Sequence, residues 1–506
     1  MKPLFIDTAS IPVSEPKPLV HAIRTLIAGG FVLGVGMPQV RAELPVPVNG
    51  GVLNATPVDI AIMGKATAAI NGNTLNIKQL SDKAAMDWKS FNIGSDNAVR
   101  FDQPSTTSIA LNRIHDQNPS QILGSLTANG QVYLVNQNGF VFGKNSQINV
   151  NSLVATTLGI SDEVFQRGIT KVFDISNSPA FEGNGQLFLK NDQGQFVLDQ
   201  KGEKIKIQIF IEEGAKIKTE GNGGRVIIAA PTVTNAGTIE TPDGQTILVG
   251  SKDKVYLQEA GSDSDIRGLL VEVGTGGETN NVGKVIAERG NASLMGFAVN
   301  QKGIASATTS VRLNGSVRLL AREGIQSPSS TGGKLLPGST TRATDQGDGL
   351  GTSAKVTLSK GSVTSVDLDA DKSLTAIDAQ AQAASTIEIS GHKVLLQDQS
   401  TVQAKSGKVS IAAVDNPADP RLKGKARILL EKGSKIDVSG VKNVSLPIER
   451  NVVQVELRKN ELKDAPLQRE GVLFGKKVLV DLRDADLKYS ATGELTSASI
   501  PLADIK

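Results

Sequence analysis

Cysteine is absent from all 506 residues, which excludes disulfide staples, thiolate metal sites and a cysteine nucleophile. A chain that crosses an oxidising compartment unfolded gains from this, because no bridge can lock it into a loop on the way. Histidine is almost as scarce: His21, His115 and His392 are scattered, so a catalytic triad or histidine metal site lacks its raw material. Neither a P-loop nor a GxSxG elbow occurs, and no cofactor is implied. An excess of one charge is also missing. The 54 basic and 51 acidic residues leave a net charge of +3, and no basic block is interleaved with aromatics, so no nucleic acid is expected as a partner. Aromatics make up only 4%, whereas glycine contributes 52 residues, above the usual share of about 7%. Many glycines at corners and few rings suit a narrow interior filled by Val, Ile, Leu and Ala.

Long apolar runs are lacking as well, and the one short run is informative. Lys17, His21 and Arg24 precede the apolar stretch Leu26–Val35, and Val40-Arg41-Ala42 precedes Glu43. A basic region, an apolar core too short to span a bilayer and small residues at −3 and −1 predict a signal peptide over 1–42. Cleavage is expected between Ala42 and Glu43. No other stretch reaches about 18 apolar residues, the length of a membrane-spanning helix.

The most ordered pattern lies in Ser108–Leu158. Apolar residues alternate with small polar ones through Gln131–Val135 and again through Gly139–Gly143, the period of a strand with one buried face. Asn136-Gln137-Asn138-Gly139 separates the two runs. Asparagine can bond its own following backbone and glycine tolerates positive φ, so this is a turn. A third run, Gln147–Val150, follows within a few residues. Strands this short, divided by tight corners, suit a chain that coils rather than one that makes hairpins.

The same stretch carries a family resemblance. ALNR (110–113), NPSQILG (118–124), ANGQVYLVN (128–136), NGFVFG (138–143) and INVNSLVATTL (148–158) occur in an order that resembles the haemagglutination-activity domain of two-partner-secretion, filamentous-haemagglutinin-like exoproteins. WKSFNIG (88–94) and VRFDQP (99–104) fit the same pattern. The family's NPNG turn has Gln137 in place of proline here, which loses the pre-set φ. Its NPNL signature is not visible, as in a sub-group that lacks it. The resemblance implies that Asn136, Gln137, Asn138 and Gly139 form the secretion-motif turn, and it accounts for the long leader.

Along the chain, Glu43–Thr74 reads as an N-terminal cap, which a solenoid needs to cover its end. Ser81–Trp88 is expected to make a short helical turn, with Trp88 packed into the cap. Ser161–Gln208 breaks the pattern: a short helix N-capped by Ser161, then short strands in FDIS (173–176), GQLFLK (185–190) and GQFVLD (194–199), packed beside the main coil. A repeat follows. Gly214–Thr219 is echoed by Gly237–Thr241 and Gly433–Val438, with looser copies at Gly303–Ser306 and Ser400–Ala404. From Ile217 to Ile239 is 22 residues, about one turn of a three-stranded coil, and stacking supplies the core that one coil lacks. Val226–Ala230 and Ile247–Gly250 should therefore lie side by side and parallel, with either Val226/Ile228 or Ile227/Ala229 pointing inward. Ser327–Thr352 is a Ser/Thr/Gly-rich loop or local linker. Asp367, Asp369 and Asp371 share a strand face and are the best candidates for a hard cation, but Lys372 and Asp378 stand where an EF-hand loop needs Gly and Glu, so solvated charge is the reading. The segment VELRKNELKDAPLQREGVLFGKKVLVDLR (455–483) resembles a stretch downstream of the secretion domain in very large members, and the chain stops at Lys506 without a closing cap, as the N-terminal part of a longer exoprotein would.

The expected fold is all-β: a right-handed single-stranded parallel β-helix with an N-terminal cap and extra-helical short strands. Residues 1–42 form the signal peptide, 43–260 the secretion domain, and 261–506 a continuing β-helical stem with an insertion near 327–352. The resemblance implies a non-enzymatic exoprotein, secreted or displayed on the bacterial surface by way of the periplasm. Its implied partners are the Sec machinery, an outer-membrane β-barrel transporter with periplasmic recognition domains, and a host or cell-surface receptor or glycan for an adhesin-like activity. A β-helical carbohydrate-active enzyme and the delivery stem of a cytolysin or contact-dependent toxin stay open as alternatives.

Overall fold

In the computed structural model the described residues are 43–221, 223–261, 268–309, 314–369, 384–416, 420–440, 452–458, 467, 470–481, 486–489 and 495–499; the predicted signal peptide falls outside them. The chain winds as a parallel β-helix with three faces. On the first face Ile148, Ile217, Ile239, Val285, Ala305, Thr364, Val402 and Ile436 stand directly over one another in parallel register. The 22-residue spacing of Ile217 and Ile239 is thus one turn of the coil. On the second face Arg225–Ala230 pairs in parallel with Gln245–Gly250, Val226 facing Thr246 and Ala230 facing Gly250. A nine-stranded sheet, from Ser120–Ile122 to Arg427–Leu430, makes the third. Gln131–Val135 lies in the strand Ser125–Asn136 on the first two faces, and Phe140–Phe142 lies on the third. The turn between them is a corner of the coil.

Alternation selects the inward residues. Val226, Ile228 and Ala230 join the central core together with Leu153, Leu248 and Leu294, which settles the register. Each fully buried aliphatic side chain contributes about 1.5–3 kcal/mol, so stacking supplies what one short strand cannot. Ile227 and Ala229 point outward, yet they are buried too, in a second core with Ile247, Val249, Met295 and Leu320. Strands covered on both faces read as continuous apolar runs, and Val226-Ile227-Ile228-Ala229-Ala230 is such a run.

The cover over that outer face is the first part of the excursion, Ser161–Phe181, together with the antiparallel hairpin Lys254–Glu259/Leu269–Val273. Asp162–Arg167 is helical, and its cap is Ser161, whose Oγ accepts from the Val164 amide at 3.2 Å. FDIS is not a strand: Val172–Ser176 forms a helix, because Phe173 is buried edge-on against Tyr256, ring centres 6.0 Å apart. Ser81–Trp88 is not a helical turn either. Lys83–Ser90 is a strand paired in parallel with Ile109–Ile114, and pairing overrides its helix-forming Lys, Ala and Met residues. Trp88 is wholly buried in the core, as cap packing predicts. The cap consists of antiparallel pairs, Val58–Asp59 with Ala66–Asn71 and Ala66–Asn71 with Thr74–Gln79.

The described residues from Gly440 onward belong to a separate unit. Taken by itself, its strands pair antiparallel, Val452–Glu456 with Lys477–Asp481 and Asp486–Tyr489 with Leu495–Ser499.

Candidate functional site: the Asn136–Gly139 corner and its groove

The corner is held by the preceding coil and lies close against the following one. Asn136 is fully buried. Its Oδ1 accepts from the Asn138 amide at 2.9 Å, which closes the turn. Its Nδ2 donates to the Asn118 carbonyl and the Ser120 Oγ of the preceding coil, each at 3.0 Å. Asn138 reaches back as well, Nδ2 donating to the Asp116 carbonyl at 2.8 Å. The Gly139 amide donates to the Asn136 carbonyl at 3.0 Å, and the Gly139 carbonyl accepts from the Ser120 amide at 3.0 Å. Gly139 has φ +108°, and a Cβ there would lie 2.3 Å from the Gln208 carbonyl oxygen of the following coil. No other residue fits without moving that backbone. Gln137 alone is exposed.

Asn112 and Arg113, of the ALNR segment, divide their labour by strand alternation. Asn112 points inward and is wholly buried; its Oδ1 accepts from Trp88 Nε1 at 2.9 Å and its Nδ2 donates to the Ala110 and Tyr133 carbonyls. Arg113 points outward and fastens the start of the excursion, Nη2 donating to the Ile160 carbonyl at 3.2 Å and to Asp162 Oδ1 at 2.5 Å. Lys83 closes the same helix from below, its Nζ donating to the Phe165 and Gln166 carbonyls. A cation at a helix C-terminus is favourable, while burial lowers the pKa of this lysine. These tethers went unread in the sequence because their partners lie dozens of residues away.

Between the corner and the excursion runs a polar groove of about 680 Å³, with Arg113, His115, Asn138, Thr157 and Lys190 among its walls. It holds no convergent acid–base pair. His115 is half-exposed, with Nε2 3.4 Å from Asp87 Oδ2. His392 is buried several coils away, with Nε2 3.4 Å from Asp415 Oδ1, and His21 lies outside the described residues. Asp367 accepts from Gln403 Nε2 at 2.6 Å, and Asp369 is paired with Arg289 at 2.7 Å. Asp371 lies outside the described residues, and among those described no cluster of acids and histidines is arranged for a metal ion.

Comparison with known proteins agrees with this architecture. The TPS secretion domain family matches residues 63–333. Two relatives are heme/hemopexin-binding proteins of Haemophilus influenzae. One, from strain Rd, is 35% identical over 179 residues, 33% of this chain and 18% of that protein. The other is 53% identical over 83 residues, 16% of this chain and 9% of that protein. The matched part of the chain thus spans less than a fifth of either relative's length. The crystal structure of the HMW1 secretion domain from Haemophilus influenzae superposes with a TM-score of 0.52 at 24% identity, covering 76% of this chain and 83% of that one, which shows the shared β-helix. With its family match spanning more than half of its 506 residues, the chain belongs to the TPS secretion-domain family, as a TpsA-type exoprotein.

Proposed function

We propose that this protein is exported by its own N-terminal β-helix through a cognate outer-membrane β-barrel transporter, after Sec-dependent passage of the inner membrane and cleavage between Ala42 and Glu43. The transporter's periplasmic domains would capture the chain unfolded. Coils that form outside then bias the threading chain against sliding back, so export needs no nucleotide. The observation that carries this reading is the Asn136–Gly139 corner: it ties the preceding coil, through Asn118, Ser120 and Asp116, to its own, so it can form only as stacking begins. Residues 43–260 carry the export function, and the coil continues as stem from 261 as far as 439. The Glu43 carbonyl accepts from the Gly94 amide at 2.9 Å, which would tie the new N-terminus to the coil.

The whole protein then acts at the cell surface or in the medium as a binding protein, an adhesin or a carrier-protein receptor, rather than as an enzyme. The two relatives' names and the dispersed histidines both favour binding. The test is to express the full chain with and without its partner transporter and to measure the extracellular fraction. Export that persists without the transporter would overturn the reading. A second arm uses an Asn136/Asn138/Gly139 triple substitution, for which extracellular yield should fall severalfold; unchanged yield would make the corner an ordinary turn.

A further inference from the structure

The part of the excursion that packs least against the coil is a small closed module. Leu189, Val197 and Ile205 recur eight residues apart and bond in a ring: the Leu189 amide donates to the Ile205 carbonyl, Ile205 to Val197 and Val197 to Leu189, at 2.9–3.0 Å. Each turn between them repeats as well, Asn191 and Asp199 each accepting two backbone amides on Oδ1. The backbone is therefore satisfied within the module, with Leu189, Val197 and Ile205 directed inward.

The side chains on the opposite side have no such packing role. Phe196 and Leu198 are 42% and 50% exposed. Phe188 meets Phe196 edge-on at 6.0 Å. Lys204 holds its ammonium 4.0 Å from the Phe196 ring centre and 5.6 Å from that of Phe188, and Lys190 stands 5.4 Å from Phe196. The segments 185–190 and 194–199 form no strands, only isolated antiparallel bridges, in which Lys204 faces Leu198 and Lys206 faces Phe188. Exposed apolar tips are thus each flanked by a lysine. The acids of the module sit in its turns: Asp199 is consumed by its own turn, and Asp192 and Glu203 are exposed beside theirs.

We propose that this module docks the folded protein on an anionic lipid surface, with Phe196 and Leu198 entering the headgroup–acyl boundary and Lys190, Lys204 and Lys206 meeting lipid phosphates. Lysines that lie along apolar side chains and present their heads outward suit a water–lipid boundary, and each lysine adds attraction to an anionic surface. A protein partner fits less well, because a stable protein interface needs roughly 20–30 residues a side and this patch offers about six side chains at one tip. A bilayer needs no such matched shape.

The experiment is flotation of the purified, folded chain with vesicles of phosphatidylcholine alone and with added phosphatidylglycerol. Binding is expected only to the anionic vesicles and should weaken as salt rises. Phe196→Ser with Leu198→Ser, and separately Lys190→Glu with Lys204→Glu, should each lower the bound fraction at least tenfold while the unfolding midpoint of the coil stays put. Lack of binding to anionic vesicles, binding that these variants keep, or equal binding to neutral vesicles would overturn the proposal. So would selective capture of an acidic protein by the module in the absence of vesicle binding.

Discussion

Trp88 Nε1 donates to Asn112 Oδ1 at 2.9 Å inside the coil, where both side chains are fully buried. A polar side chain occupies an inward position there because the ring brought by the cap strand carries one N–H that needs an acceptor. Replacing Asn112 by leucine fills the space but strands that N–H and removes the bonds to the Ala110 and Tyr133 carbonyls. The expected cost is about 1–3 kcal/mol, read as a shift of the denaturation midpoint. A Trp88→Phe/Asn112→Leu double variant should recover part of the loss, since both partners are then apolar; additive losses would show that the bond carries no coupling.

At the corner the two asparagines should differ. Asn136 makes bonds to Asn118, Ser120 and Asn138 from a buried position, whereas Asn138 adds one side-chain bond, to Asp116. Asn136→Ala should therefore cost about 2–3 kcal/mol and Asn138→Ala about 1 kcal/mol. Gly139→Val combines positive-φ strain of about 1–3 kcal/mol with the clash on Gln208, so it should be the most damaging of the three. Extracellular yield should fall most for Gly139→Val, less for Asn136→Ala and least for Asn138→Ala. Equal yields would separate export from corner stability.

Much of this was legible in the sequence, and the reasons differ by element. The coil was legible because its inward residues recur at the pitch of one turn, as Ile217 and Ile239 do, and because parallel short strands joined by tight corners allow little else. The corner was legible through Asn and Gly chemistry. Lys83–Ser90 was misread because Lys, Ala and Met favour a helix locally, while Ala84, Met86 and Trp88 are in fact inward residues of a strand. The outer cover was only half visible. Its contacts join Phe181 to Val255 and Asp174 to Gln258, and pairings across seventy residues or more leave no local periodicity. The continuous run Val226–Ala230 was the one sign that the second face would be covered.

N-terminal sequencing of exported protein should begin at Glu43. Leu44 packs on the core and Val46 pairs with Ser90, so cleavage downstream of these residues would remove a strand of the cap. Exported material that retains Met1–Ala42 would show that the apolar stretch Leu26–Val35 serves the fold instead.

The segment 327–352 should be released from the coil by acid. Arg342 is almost wholly buried, stacked 3.5 Å from the Phe297 ring centre, and donates from Nε to Glu323 Oε1 at 2.9 Å and from Nη1 to Asp348 Oδ2 at 2.8 Å. Lys252 Nζ also pairs with Asp348. Burial alone would raise the pKa of Asp348, but hydrogen bonds from Lys252, the Leu350 amide and Arg342 outweigh it and hold the carboxyl at about 2. Its ordinary value is about 3.9. A depressed acid contributes stability that is present above its unfolded value and lost as pH falls through the folded one, so the anchor should weaken between about pH 4 and pH 2. Glu323 works with the opposite sign. Burial raises its pKa, so its charge is a cost at neutral pH that acid relieves first. Pepsin cleavage within 327–352, normalised at each pH to a denatured control, should therefore rise only toward pH 2, and Asp348→Asn should abolish that step. Arg342→Met leaves two carboxylates without their guanidinium, a loss of about 3–5 kcal/mol for a buried pair, and should open the segment to protease even at pH 7. A segment equally resistant in both variants would mean that the loop is held by its backbone bonds, such as that from the Arg342 amide to the Thr352 carbonyl at 2.9 Å, and not by this charge cluster.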